Sequence, residues 1–333
     1  MSSFDVVPGS VVRDLLRDHD AVRTAVLDAY LQHGRGRTTN PDSYFLRFED
    51  LPSSRIIALP ARVEMPDGQD VAGIKWISSF PANVALGEPR ASAVLVLNSL
   101  ENGRPYALLE AAGISAARTA ASAALVARAL DRTHPGDGTL GVVGGGVIAR
   151  TTLEHLVSAG SDIDTVLVHD TAQESAQRLV DHARGLGVDA ATVPLDAALD
   201  CARVVTATTA LTPYVTRPPG VGQVYLNISL RDFDPRAVLD VQHVVDDVDH
   251  CLKADTTPHL VEQLTGSRDF VTGTVPQLLE GDLELDPARG VLVSPFGLGV
   301  LDLAVGLHVH TAARAAGRVV PVPDFFGETR RWA

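Results

Sequence analysis

The chain has 333 residues, with 28 basic against 41 acidic side chains and a formal net charge of −13. That length allows two domains with a core large enough to need no cross-links, and 45% hydrophobic with 21% charged residues excludes a disordered chain. The acidic balance repels phosphate backbones and anionic lipid, so neither nucleic acid nor a membrane surface is expected as a partner.

The opening MSSFDVVPGS lacks the basic-then-apolar pattern of a secretory leader. The apolar stretches around 105–130 and 290–308 are cut by Glu110, Arg118 and Arg128, and by Pro295 and Asp302, short of the roughly 20 clean residues a span needs. A cytoplasmic protein is expected. Two cysteines, Cys201 and Cys251, form no disulfide framework and read as inert thiols.

Val22, Val26, Leu27, Tyr30 and Leu31 fall at helical spacing, which predicts an amphipathic helix over 19–33. From 44 to 100 short apolar runs follow: Tyr44–Phe48, Arg55–Val63, Val71–Ile77 and Ala91–Leu97. The turn groups Pro66-Asp67-Gly68 and Glu101-Asn102-Gly103 punctuate them, so this half reads as an antiparallel sheet. The alanine-rich run Ile114–Leu130 is a helix, and Thr133–Gly138 is the natural place for a domain boundary. Beyond it strands (Leu140–Val143, Thr165–His169, Val204–Ala207, Gln223–Asn227, His243–Val245) alternate with helices (Ile148–Ala159, Ala172–Leu186). That rhythm implies parallel βαβ units in a doubly wound sheet. A last helix spans about Leu298–Ala316.

Gly144-Gly145-Gly146-Val147-Ile148-Ala149 is a G-x-G-x-x-A loop between a predicted strand and helix. Gly144 allows the tight turn, and Gly146 lets backbone approach a pyrophosphate at the positive helix end that Val147 and Ile148 open. Asp170 ends the next strand, 24 residues after Gly146. A carboxylate there accepts ribose hydroxyls and repels a 2′-phosphate, so NAD is expected over NADP.

Candidates to hold a substrate and move its protons are Arg47, Lys75, Arg90, Arg118 and Asp232. Only two of the 28 basic residues are lysines, Lys75 and Lys253. Lysine can lose its proton at accessible pH and arginine cannot, which singles out Lys75; Lys253 has no evident chemical role. From spacing alone Lys75 is either a site residue or a lysine snorkelling from an edge strand. Arg118, alone among small residues in Ser115–Ser122, is either a ligand group or a charge reaching solvent. Asp232 follows a strand end, where ligands bind in such sheets. The acidic run Asp246-Asp247-Val248-Asp249-His250 reads as a solvated turn, and His308 and His310 do not share a helix face, so no metal site is expected.

Gly73-Ile74-Lys75, Phe80-Pro81-Ala82-Asn83, Ser115–Ala121 with Arg118-Thr119, the glycine loop and Asp232 together resemble the ornithine cyclodeaminase/μ-crystallin family. Pro41–Phe48, Lys75–Pro81, Pro89–Ala93, Ser229–Asp232 and Ser294–Gly299 are similar to a narrower branch, the siderophore-pathway N-[(2S)-2-amino-2-carboxyethyl]-L-glutamate dehydrogenases. The likeness runs from about residue 40 to 310. It implies an α/β fold: a Rossmann-type doubly wound parallel sheet at 131–304, and an α+β substrate and dimerisation domain made of 1–130 with 305–333. It further implies a homodimer; Arg47, Lys75 and Arg118 around a substrate carboxylate; Asp232 in proton transfer; and cofactor contacts near Thr119, Asp170, Thr208 and Ser294. Arg90 departs from the cyclodeaminases, which carry a small hydroxyl residue there. An extra arginine repels the amine of ornithine and welcomes a further carboxylate. The expected activity is therefore NAD-dependent oxidative cleavage of a poly-carboxylate secondary amine to 2-oxoglutarate and L-2,3-diaminopropionate, a precursor for siderophore or peptide natural products. An ornithine cyclodeaminase, a ketimine or imine reductase, an alanine-type dehydrogenase and a non-enzymatic dinucleotide-binding protein remain as alternatives.

Overall fold

A computed structural model of the protein describes residues 4–327. The chain divides into two compact units, Met1–Arg118 with Leu298–Ala333, and Thr119–Gly297. The first division falls inside the helix Ala112–Leu130, twelve residues before the sequence-based boundary at 130/131. The segment Thr133–Gly138 is no free linker. Arg203 donates to the Asp131 carboxylate at 2.9 Å and to the His134 carbonyl at 3.2 Å, and the His134 ring lies 3.0 Å from the Arg289 carbonyl, all within the second unit.

In the first unit one sheet runs Val320–Val322, Phe4–Val7, Pro105–Glu110, Ala91–Asn98, Val71–Ser79, Arg55–Val63, Thr38–Thr39, with Tyr44–Arg47 also paired to Arg55–Val63. All four runs expected as strands are strands, and the two turn groups join their hairpins. Phe4–Val7 departs from the expected antiparallel pattern by running parallel to Pro105–Glu110. The alternation does not reveal the three- and four-residue strands Val320–Val322 and Phe4–Val7, which are too short to show a period.

Pleating sends alternate residues to opposite faces. One face buries Leu59, Lys75, Leu95 and Leu97, and the helix Gly299–Ala315 packs on it. That helix is apolar through its first turns, with Val300, Leu301, Leu303, Ala304 and Val305 all buried. It lies flush with the sheet: a Cβ at Gly306 would come within 2.0 Å of the Leu95 side chain. The opposite face leaves Tyr44, Leu46, Trp76 and Val94 exposed.

The second unit is an eight-stranded, all-parallel sheet. Its order is Asp189–Thr192, Ile163–His169, Gly138–Val143, Arg203–Thr206, Val224–Asn227, Val291–Ser294, Gln242–Val245, Val271–Thr274. The central strands are buried apolar runs, as parallel strands covered on both faces must be. The chain winds outward one way from Gly138–Val143, then returns to lay Arg203–Thr206 on its other side. Ligands bind beyond the carboxyl ends of strands at such a reversal. This is the doubly wound sheet that the strand–helix rhythm implies. Among the described residues no helix is long and apolar enough to cross a membrane.

Candidate functional site

In the first unit Lys75 sits on Val71–Ser79, a strand paired on both sides, not on an edge. A central strand leaves a lysine no route to solvent, and Lys75 is only 2% exposed. A buried ammonium requires a counter-charge, and Asp302 supplies it from the helix packed above: Nζ donates to Oδ2 at 2.6 Å. The Ser115 hydroxyl lies 3.1 Å from the same Nζ. Arg118 donates through Nε to the other Asp302 oxygen at 3.2 Å. Its guanidinium thus turns inward to a carboxylate, and the terminal nitrogens keep their donors for a ligand. Burial, with Arg118 nearby, pulls the Lys75 ammonium down to about 8 although Asp302 opposes the shift. Two cations and one anion leave the cluster with one positive charge, matched to a single carboxylate.

Asp302 did not stand out from the sequence as a site residue. Its signal is a lone acid in the first turn of an otherwise apolar helix, where a helix dipole tolerates it and a core does not.

Arg90 lies further along the same face, donating through Nη1 to the Ser79 hydroxyl at 2.7 Å. Partial burial pulls its guanidinium below its ordinary range. Arg47 is exposed at the end of Tyr44–Arg47, with its guanidinium carbon 5.1 Å from the Phe45 ring centre. The structure therefore joins Lys75 and Arg118 through Asp302 and sets Arg47 and Arg90 apart from them along the sheet.

In the second unit the glycine loop has the features a dinucleotide requires. Gly144 has φ +103°, and a Cβ there would strike the Ala207 carbonyl at 2.4 Å. At Gly145 a Cβ would lie 2.4 Å from the Ser175 carbonyl, so the loop and the helix Gln173–Gly185 pack too closely for a side chain. Nothing lies within 4 Å of the Cβ position at Gly146, an open space before the helix Val147–Ser158. Backbone N–H groups at that helix start face an anion. Val147 is exposed and Ile148 half-buried. Asp170 accepts from the Gly145 N–H at 2.6 Å and the Ala172 N–H at 2.8 Å. It borders a hollow of about 270 Å³ lined by Val168, Gln173, Ala176, Thr192 and Pro194, which suits an adenosine moiety. These residues fit a dinucleotide.

Asp232 is fully buried beyond the strand Val224–Asn227. Thr208 donates to its Oδ1 at 2.7 Å, and the Ser229 hydroxyl donates to Oδ2. Leu230, between Ser229 and Asp232, has φ +71°, which is rare for leucine and folds the loop back so that both side chains meet. Tyr214 N–H and Val215 N–H donate to the Asp232 carbonyl at 2.9 and 2.8 Å. Burial, with Asp232 beside it, pushes the Tyr214 phenol up. Thr119 is half-buried in its helix. Ser294 is buried and receives the Asn227 amide at 3.1 Å.

The loop after Ser294 is held by Asp246, which accepts from the Gly297 N–H at 2.6 Å. Burial raises the Asp246 carboxyl. His250 is also buried, its ring edge-on to Phe296 at 4.9 Å. The acidic run at 246–250 is thus not a solvated turn. Acid-rich composition masked it, because its first and last side chains turn inward while Asp249 alone is exposed. Lys253 is half-buried in the turn that follows.

The sequence is similar to two described enzymes along most of its length. Alanine dehydrogenase of Archaeoglobus fulgidus is 26% identical over 302 residues, 88% of this chain and 90% of that protein. N-((2S)-2-amino-2-carboxyethyl)-L-glutamate dehydrogenase of Staphylococcus aureus is 27% identical over 303 residues, 87% of this chain and 89% of that protein. The fold matches that of Thermococcus litoralis Δ(1)-pyrroline-2-carboxylate reductase, solved with NADH and L-proline. There the TM-score is 0.86 at 23% identity, covering 96% of this chain and 100% of that one. Residues 10–222 match the sequence profile of the ornithine cyclodeaminase/mu-crystallin family. With the lysine–aspartate–arginine cluster, the glycine loop and the buried Asp232 all present, the chain belongs to the ornithine cyclodeaminase/mu-crystallin family.

Proposed function

We propose that the protein is an NAD-dependent oxidoreductase acting on a CH–NH bond, and that it cleaves N-(2-amino-2-carboxyethyl)-L-glutamate oxidatively. The observation that carries this reading is cationic excess: the Lys75–Asp302–Arg118 cluster takes one carboxylate, and Arg47 and Arg90 provide two more guanidinium groups on the same unit. A substrate with three carboxylates uses this set. Alanine uses only part of it.

NAD would be held by Gly144, Gly146, Val147 and Ile148 at its pyrophosphate and by Asp170 at its ribose, with Thr119, Thr208 and Ser294 as further contacts, and when bound it would supply the hydride acceptor. Loss of the glutamyl α-hydrogen as hydride and of the amine proton leaves a C=N bond on the substrate. Lys75 and Arg118 clamp the α-carboxylate, which fixes the α-hydrogen, and Arg47 and Arg90 hold the remaining carboxylates. Asp232 accepts the amine proton, with the Thr208 and Ser229 hydroxyls orienting its two oxygens. Asp232 returns that proton to the imine nitrogen, takes up the proton lost by a water that Lys75 orients onto the imine carbon, and passes it to the amine nitrogen as the hydroxyl proton of the hemiaminal leaves. The C–N bond breaks to give 2-oxoglutarate and L-2,3-diaminopropionate.

The test is a panel of this secondary amine, L-alanine and L-ornithine with NAD, followed by absorbance and by product mass. A steady rise of NADH with the secondary amine alone, with both products found, supports the reading. NADH from L-alanine alone makes the protein an alanine dehydrogenase. Proline from ornithine without net NADH makes it a cyclodeaminase.

A homodimer through the first unit completes the reading. Tyr44, Ala58, Trp76 and Val94 stand opposite one another in register across four strands, on the face not covered by the C-terminal helix. Tyr44 is 70% and Trp76 42% exposed. An apolar row of this kind marks an association surface, and a second copy meets it with the same row. Light scattering after chromatography checks this: Trp76→Glu yields monomers.

A further inference from the structure

Asp232 carries the proton transfers of the functional proposal, yet its side chain has no exposed surface. Thr208 and Ser229 each donate a hydroxyl to one of its oxygens. Both hydroxyls have further neighbours: the Thr208 oxygen accepts the Ala210 N–H at 3.2 Å, and the Ser229 hydroxyl lies 3.4 Å from that of Thr206. A carboxylate enclosed in this way needs a group that touches it and also reaches the open side of the loop.

Tyr214 has both properties. A parallel bridge joins Val215 to Phe233, and these two residues are buried in one apolar cluster with Tyr225 and Val238. Side chains alternate along extended backbone, so the preceding pair, Tyr214 and Asp232, turns together to the other side. The Tyr214 N–H donates to the Asp232 carbonyl at 2.9 Å, which fixes the pair at the backbone. The Asp232 carboxylate and the Thr208 hydroxyl both act on the Tyr214 phenol as hydrogen-bonding neighbours. Tyr214 is 36% exposed where Asp232 is fully buried. Burial and the adjacent carboxylate push the phenol up, so it keeps its proton at neutral pH. A neutral hydroxyl accepts and donates at once.

We propose that Tyr214 is a further catalytic residue, a proton relay between the substrate nitrogen and Asp232. As the amine N–H bond breaks, the phenol oxygen takes that proton and passes its own to a carboxylate oxygen of Asp232, so the tyrosine ends neutral. The reverse transfer returns a proton to the nitrogen, and no reactant beyond the hydride acceptor is needed. The inference rests on the assignment of Asp232 to proton transfer, and it deepens the functional proposal by naming the group through which the proton passes.

Tyr214→Phe keeps the ring and removes the hydroxyl. With the secondary amine and NAD, followed as NADH, its kcat should fall about 10²-fold below the wild type, with NAD affinity in fluorescence titration unchanged. A wild-type kcat in Tyr214→Phe, or a parallel loss of NAD affinity, overturns the relay. A second measurement needs no turnover. In protein isotope-labelled at the tyrosine ring carbon that bears the hydroxyl, the carbon NMR resonance missing from Tyr214→Phe is that of Tyr214, and Asp232→Asn should move it. A resonance that stays in place overturns the contact and the relay with it. NADH from L-alanine and none from the secondary amine discards the proposed substrate and keeps the relay open to the same kcat comparison, because oxidation of alanine releases the same amine proton.

Discussion

Lys75 and Asp302 stand 227 positions apart in the chain and meet at 2.6 Å in the core of the first unit. The helix that brings Asp302 down onto the sheet thereby joins the end of the chain to the strand that carries the lysine. With Arg118 on the other Asp302 oxygen, one carboxylate sets the position of two cations. On the proposed reading, fold stability and substrate binding depend on the same three side chains.

Removing the anion should show this coupling. Asp302→Asn leaves two buried cations with no counter-charge and should cost about 3–5 kcal/mol in urea unfolding. The apolar triple Lys75→Met, Arg118→Met and Asp302→Leu should recover most of that stability while abolishing carboxylate binding. If Asp302→Asn unfolds at the wild-type urea concentration, the carboxylate is not the counter-ion of the cluster.

If Lys75 binds substrate as proposed, its ammonium, brought to about 8 by burial, should give the enzyme an alkaline limit. Below that pH the lysine is charged and would attract the substrate carboxylate. Above it the neutral amine does not, so kcat/KM should fall as pH rises through about 8 in the free enzyme. Lys75→Arg should lower activity but move this limb beyond the measurable range, because arginine stays charged. A limb that persists near 8 in Lys75→Arg belongs to another group.

The parts of the site that are local in sequence were legible in it, and those made by tertiary packing were not. The glycine loop and Asp170 lie within one βαβ unit, so a fixed spacing announces them. Lys75 stood out by its rarity among arginines. Asp302 and Asp246 announce nothing by spacing: each acquires its role from a segment far away, Val71–Ser79 for one and the Ser294–Gly297 loop for the other. The fold shows the same division. Strands of seven to nine residues such as Arg55–Val63 and Ile163–His169 display their pattern, and so do some four-residue buried runs such as Val224–Asn227, whereas the four-residue Asp189–Thr192, with two alanines at its centre, does not.

Asp232→Asn separates chemistry from binding. The amide keeps the shape and can still bond the Thr208 and Ser229 hydroxyls, but it cannot accept a proton. Turnover should fall about 10²–10⁴-fold, with NAD affinity, measured by fluorescence titration, unchanged. Parallel loss of both would mean that Asp232 supports the loop and not the reaction.

A last prediction concerns stability in acid. His243 is buried in the second unit, its Nε2 2.7 Å from the Val238 carbonyl and its ring edge-on to Phe270. A carbonyl accepts, so Nε2 carries the proton and the ring is neutral. Burial, with Arg289 adding to it, pulls the imidazole down to about 4 although the bond to Val238 opposes the shift. Between 4 and the ordinary value of 6.5 the unfolded chain therefore binds a proton that the folded chain refuses. Stability must rise with pH across that window and level off above 6.5. A shift of this size corresponds to about 3 kcal/mol of stability lost on acidification. His243→Gln, whose amide can still donate to Val238, should unfold with a flatter pH dependence than the wild type over the same interval. Equal slopes in urea titrations of the two proteins would show that His243 takes up its proton without unfolding.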